Sequence, residues 1–140
     1  MKNLSAKMKT KLFILIFLLM GISSYSQTLH YRTVAFSTNS YNTYTSSWSG
    51  WSEWESSDML LTINFDTDIA TIYSPIAQVY HLQEFVTSFY DSDGDYHIVI
   101  KFIDQDKDSG VLRLLQRKSG EFEIYVEFLN VMWCYCVVEL

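Results

Sequence analysis

The chain has 140 residues, 49% of them hydrophobic and 16% aromatic, and its ten basic and sixteen acidic residues give a net charge of −6. Four of the basic residues are lysines in the first 26 residues, so the rest of the chain has six basic and sixteen acidic residues, a net charge of −10. Such a charge disfavours binding to nucleic-acid phosphates or anionic lipid surfaces. A domain of this size buries enough surface for one core without metal or disulfide staples.

The first 26 residues have the three-part pattern of a secretory signal peptide. Four lysines precede the apolar run Leu12–Met20, and the small residues Ser24 and Ser26 follow it. The run is too short to span a bilayer, which takes about 20 apolar residues. We therefore expect cleavage after Ser26, export to the periplasm or the cell exterior, and one domain over residues 27–140 with no membrane insertion.

The chain after Gln27 has the pattern of strands separated by short polar turns. Strands are predicted at Leu29–Thr38, Met59–Phe65, Ile69–Ser74, Ile76–Tyr90 (one bent strand or two), Tyr96–Asp104, Val111–Arg117, Glu121–Phe128 and Val131–Val138. Apolar and polar residues alternate along most of them, as in an antiparallel sheet with one face in water. Short loops that join strands in sequence order favour a meander. We therefore predict an all-β fold, an antiparallel up-and-down barrel of about eight strands, with a two-sheet β-sandwich as the alternative.

Two strands near the C-terminus show the contrast between wet and covered faces. In the first, an apolar face opposes a glutamate face: Phe122, Ile124, Val126 and Phe128 against Glu121, Glu123 and Glu127. The last strand is apolar on both faces, so we expect both to be covered. Cys134 and Cys136 share one of these faces with Cα atoms ~6.5 Å apart, near the upper limit for a disulfide. We interpret them as buried thiols that act as small hydrophobes, with a redox pair as the alternative.

Two acidic segments, DSDGD and DQDKDSG, have some features of calcium loops. In the second, three aspartates alternate as the first ligands of an EF-hand do, but the glycine comes one position late and the twelfth position is Leu115. Aspartate and glycine are also the residues that hairpin turns prefer, which is the interpretation we favour. The three histidines lack ligand spacing, and no nucleophile–base motif is evident. We therefore predict no catalytic residue, no metal site and no cofactor.

Three of the four tryptophans, Trp48, Trp51 and Trp54, lie within seven residues. On extended backbone a spacing of three places successive rings on opposite faces unless the chain turns or bulges between them, and Ser49-Gly50 is suited to a turn. Either the rings plug the barrel end or cover the sheet, or some of them line an open mouth and stack on a sugar or another flat ligand. The candidate binding residues are Trp48, Trp51, Trp54, Tyr41 and Tyr44.

Four short sequence segments resemble those of a group of proteins. The features are a leader that ends in SYSQ, WSEWE at Trp51–Glu55, IATIYSPIAQVY at Ile69–Tyr80 and NVMWCY at Asn130–Tyr135. In these the chain resembles uncharacterised small secreted β-rich proteins of Bacteroidota type, and the resemblance implies export and β architecture but no activity. We predict a secreted, acidic, non-catalytic binding protein that takes a small molecule, a glycan or a protein at a Trp/Tyr-rich end of the barrel. The alternative is a secreted enzyme or enzyme inhibitor.

Overall fold

The computed structural model describes residues 28–140, so the predicted signal peptide over residues 1–26 lies outside the described part. The strands are β1 (Thr28–Asn42), β2 (Ser47–Trp48), β3 (Glu55–Ser56), β4 (Leu60–Asn64), β5 (Ile69–Ile72), β6 (Gln78–Tyr90), β7 (Tyr96–Asp104), β8 (Ser109–Gln116), β9 (Phe122–Glu127) and β10 (Val131–Glu139). Over these residues no helix is both long and apolar enough to cross a membrane.

Eight of these strands close into an antiparallel barrel. From β4 to β10 each strand pairs with the next in sequence, and β1 pairs with β4 on one side and β10 on the other, which removes both sheet edges. The predicted up-and-down barrel is confirmed, and the sandwich alternative is wrong. The two-residue strands β2 and β3 were not predicted. They pair with β1 beyond the stretch that β4 covers.

The barrel interior is filled by alternating apolar side chains from every barrel strand. Ile98 and Ile100 on β7 and Ile124 and Val126 on β9 are fully buried, while the flanking rings of Phe122 and Phe128 pack against the same cluster. The face predicted as apolar on β9 therefore forms part of the core. Because side chains occupy the interior, any ligand site must lie at the ends or on the outside of the barrel.

Irregularities in pairing bend two of the long strands. The register of β1 against β10 shifts between Thr33 and Ala35, which leaves Val34 as a bulge. Inward-facing positions therefore change from odd to even numbers, with Tyr31 inside before the bulge and Phe36 packed on the core after it. Strand β6 has two such shifts, so the segment predicted at Ile76–Tyr90 is one bent strand rather than two, and it begins at Gln78.

Strand β10 has a buried inner face, and its outer face, which the sequence predicts to be covered, is buried at Cys134 but exposed at Val138. Tyr135 and Val137 belong to the core, whereas Cys134, on the opposite face, is 2% exposed although it points away from the barrel interior. The residues between β1 and β4 cover that outer face, and they include the three clustered tryptophans.

Candidate binding site

The segment Ser47–Ser57, here called the Trp loop, folds back along β1. Its backbone amides at Ser49, Ser52 and Ser57 donate to carbonyl oxygens of β1 at 2.8, 2.8 and 3.0 Å. Gly50 has a φ of 84°, a left-handed conformation that favours glycine, so the extended backbone is interrupted at the predicted Ser49-Gly50 position.

Serines fix the Trp loop to the outer side of β1. The Ser37 hydroxyl donates to the Ser52 carbonyl oxygen at 2.7 Å, and the Ser52 hydroxyl accepts from the Thr38 amide at 3.0 Å. Ser37 is 1% exposed as a result. The small residues between the tryptophans therefore let the loop backbone approach the barrel closely.

The five candidate binding residues do not form one cluster. Trp48 pairs across the hairpin with Tyr41, their ring centroids 5.5 Å apart in an edge-on arrangement, and Tyr44 at the hairpin tip is 98% exposed. Trp51 and Trp54 lie further along the loop and contact other strands. The structure therefore separates Trp48, Tyr41 and Tyr44 from the other two tryptophans.

Trp51 covers the outer face of β9 and β10. Its ring meets that of Tyr125 edge-on, with centroids 5.7 Å apart. Tyr125 is the cross-strand partner of Cys134, which in turn pairs with Ser37 on β1. Trp51 thus contacts one end of a row that crosses three strands, and the buried, outward-facing Cys134 lies in the middle of that row.

A polar network continues from Tyr125 along the same outer wall. The Tyr125 hydroxyl donates to Glu123 Oε2 at 2.8 Å, and Arg117 Nη2 donates to the same oxygen at 2.9 Å. Arg117 Nη1 donates to Asp95 Oδ2 at 3.0 Å. Both carboxylates are buried, and the single guanidinium offsets part of the cost of burying their two charges.

The position of Glu123 corrects an expectation from the sequence. Alternation places Glu123 on the wet face of its strand, yet it is buried on the outer wall beside Arg117 and Tyr125. Sequence reasoning did not find this network, because its acidic and basic members come from different turns and strands. Its one sequence signal is weak: Arg117, Glu123 and Tyr125 lie within nine positions at the end of one strand and the start of the next.

Trp54 lines a pocket of about 690 Å³ where β8 and β10 end and β9 begins. The remaining lining residues are Tyr31, Val34, Ala35, Gln116, Gly120, Glu121, Phe122, Glu123, Cys136, Val137, Val138 and Glu139. The bulge at Val34 and the end of β10 form one side, and Trp54 is 53% exposed. Of the predicted binding residues, Trp54 alone lines this pocket.

Both thiols are free, and Cys134 is the more buried of the two. Burial, chiefly, raises the pKa of Cys134 to about 12, with the negative charge of Glu123 acting in the same direction. The pKa of Cys136 is raised first by burial and then by the charges of Glu123 and Glu121. At neutral pH both groups are therefore thiols rather than nucleophilic thiolates.

The two acidic segments form turns that their own side chains stabilise. Asp104 Oδ1 accepts from the amides of Asp106 and Asp108, both at 2.9 Å. In the other segment Asp91 Oδ1 accepts from the Asp93 and Asp95 amides, at 2.9 and 3.0 Å. Side-chain oxygens of these last three aspartates lie within 4.8 Å of one another. This proximity follows from the turn that they build.

A second polar network starts from the same turn and crosses the outer wall of β7 and β8. Asp91 Oδ2 lies 2.7 Å from His97 Nε2, and the imidazole stacks on the Phe89 ring at a centroid distance of 4.7 Å. Arg113 lies near the other ring nitrogen of His97, and its Nε donates to Glu127 Oε1 at 3.0 Å. This outer-wall network is independent of the Trp loop.

The geometry therefore offers a pocket of about 690 Å³ beside Trp54, a ring contact between Trp51 and the outer wall, and an exposed aromatic hairpin at Trp48. Comparison of the chain with family models, with curated proteins and with solved structures finds no match.

Proposed function

We propose that this protein is an exported, non-catalytic binding protein that holds a small molecule in the pocket beside Trp54. The observation that carries the proposal is the pocket itself, about 690 Å³ in volume, within the range of roughly 300–1,000 Å³ that is typical of small-molecule sites. The leader pattern over residues 1–26 supports the export part of the proposal.

The lining has the composition of a ligand site rather than of a packing defect. Apolar side chains of Phe122, Val137 and Val138 form much of its surface, and a few polar groups are set among them. Trp54 adds a half-exposed indole, a large rigid surface against which a flat or apolar group can pack at small entropic cost. These features favour a compact ligand with an apolar body.

The chemical groups around the pocket favour binding over catalysis. The thiol of Cys136, which lines the pocket, has a raised pKa and is protonated at neutral pH. The buried carboxylate, Glu123, is held by hydrogen bonds from Arg117 and Tyr125 to one of its oxygens. The thiol is therefore a weak nucleophile, and the carboxylate serves as a structural hydrogen-bond acceptor in the pocket wall.

A ligand screen read at the tryptophan indoles tests the proposal. The protein is recovered after export, and its intact mass is expected to begin at Gln27. Binders in a library of small molecules should shift the NMR signal of the Trp54 indole N–H, assigned with Trp54→Phe, and leave that of Trp48 in place. Trp54→Ala should weaken the affinity by about tenfold, because it removes the aromatic wall.

Trp48→Ala is the matched control, since it removes an indole at the hairpin tip, away from the pocket. It should leave affinity unchanged. Binders that shift Trp48 and not Trp54, or a library that shifts neither, would contradict the proposal. A mass that includes residues 1–26 on the exported protein would contradict the predicted cleavage.

A further inference from the structure

We propose that the Trp54 pocket selects organic cations, that is, an ammonium or guanidinium group carried on an apolar body. This inference rests on the proposed function and adds the charge of the ligand to it. It follows from where carboxylates, the indole and aliphatic side chains lie around one cavity.

Three carboxylates line the pocket, those of Glu121, Glu123 and Glu139, whereas no lysine or arginine is found among its described lining residues. The neighbouring cation, Arg117, is bonded to both Glu123 and Asp95. One positive charge is thus shared between two carboxylates, and the pocket retains an excess of negative charge. A ligand that brings a positive charge would offset this excess, and an anion would increase it.

Two groups in the pocket wall respond to that charge. The pKa of the Tyr31 phenol is raised, first by burial and then by the negative charge of Glu139. The pKa of Cys136 is raised by burial and then by Glu123 and Glu121, while Arg117 acts in the opposite direction. Each of the three pocket carboxylates therefore acts on a residue that lines the same cavity.

The rest of the lining suits the body of an organic cation. Trp54 presents a half-exposed indole, the side chain with the strongest cation–π attraction, and valines such as Val34 and Val138 offer aliphatic surface. A bare metal ion would gain nothing from these apolar groups. An ammonium or guanidinium on a hydrocarbon or aromatic body would use both parts of the lining.

Cys136 provides a reporter inside the pocket, because it lines the cavity while Cys134 is buried. Methanethiosulfonate reagents convert a thiolate to a mixed disulfide and release methanesulfinate, and they exist in trimethylammonium, neutral methyl and sulfonate forms. The rates are measured on Cys134→Ala, which leaves one thiol, and each is divided by the rate with 2-mercaptoethanol. Tandem mass spectrometry of the labelled wild type repeats the measurement with both thiols present.

We expect the normalised rate of the cationic reagent to exceed that of the anionic reagent by about tenfold or more at low salt. The ratio should fall toward one at high salt, where charges are screened. Glu121→Gln with Glu139→Gln should reduce the ratio by about threefold or more, since both side chains are exposed and the fold does not depend on them. The neutral reagent corrects for any change in thiolate content.

The outcomes separate this inference from the proposed function. If the neutral reagent labels Cys136 and the charged pair react equally, or if the anion reacts faster, the cation preference is overturned while an open pocket remains. If none of the three reagents labels Cys136, the pocket is closed and both proposals fail. Ratios that persist in the double glutamine variant would show that these carboxylates are not the cause, which also overturns the inference.

Discussion

The inner face of strand β10 is buried and its outer face is covered around Cys134, but different interactions hold the two faces. The inner face packs Tyr135 and Val137 into a continuous apolar core, where alternating positions of every barrel strand meet. The outer face is covered by the Trp loop, which is attached by serine hydrogen bonds and one edge-on ring contact to Tyr125. The inner face therefore depends on close packing of many residues, and the outer face on a few local contacts.

The outer wall buries a thiol although the ring beside it is half-exposed. Trp51 is 45% exposed, far more than any core residue, yet Cys134, the cross-strand partner of the Tyr125 that Trp51 contacts, is only 2% exposed. Its neighbours on the same wall, Glu123 and Arg117, are polar and need hydrogen-bond partners rather than close packing. A covered outer wall can thus hold polar groups and border a pocket, whereas the filled interior leaves no room for either.

The largest effect is expected from a cavity in the inner face. Ile124→Ala removes a fully buried side chain at the centre of the core and should lower the free energy of unfolding by about 3–4 kcal/mol. Urea denaturation followed by circular dichroism measures it. Ile76→Ala, at a position that is 80% exposed, is the matched control and should cost less than about 0.5 kcal/mol. Equal losses for the two variants would show that the core does not have the described packing.

A smaller effect is expected from uncovering the outer face. Trp51→Ala should cost about 1–2 kcal/mol, because the ring is only partly buried and its contacts are few. The same change should raise the rate at which a neutral thiol reagent labels Cys134 by about tenfold or more, as it opens the cover without unfolding the barrel.

Trp48→Ala provides the control for this variant, since Trp48 has a similar exposure but packs on Tyr41 at the hairpin tip. It should leave Cys134 as slow to react as in the parent protein. If both variants expose Cys134 equally, the loop acts as one unit and Trp51 is not the specific cover.

The smallest effect is expected at the polar network of Asp91 and His97, and it should depend on pH. The hydrogen bond from His97, chiefly, holds the pKa of Asp91 below its ordinary 3.8. A carboxyl with a lower pKa in the folded state stabilises the fold above the unfolded-state pKa, and the stabilisation is lost as pH falls through the folded-state value.

Asp91→Asn, which keeps the Oδ1 acceptor of the turn, removes this contribution. The difference in unfolding free energy between variant and parent should therefore be largest near pH 5 and shrink as the pH drops below 3.8, in urea titrations at successive pH values. The cost of Ile124→Ala should stay constant over that range, because no charge is involved. A pH-independent difference for Asp91→Asn would contradict the role given to this pair.

Much of the fold follows from local pattern, and the candidate site follows from it only in part. Alternation placed Ile124 and Val126 inside the barrel, and the two apolar faces of β10 indicated that both would be covered. The pattern did not show that Glu123 would be buried, because its partner Arg117 follows a different strand and is itself held by Asp95 from another turn. The tryptophan cluster identified a candidate region, but of the five candidate binding residues Trp54 alone lines the pocket.

The sequence by itself determined the period-two alternation, and with it the all-β barrel and its filled interior, because a strand can bury only every second side chain along one face. The tertiary structure alone decided where each tryptophan lies, since Trp51 meets Tyr125 more than seventy residues further along the chain. No local pattern encodes such a contact. It exists because barrel closure brings β1 beside β10, so that the loop after β1 extends over the outer wall of β10 and β9.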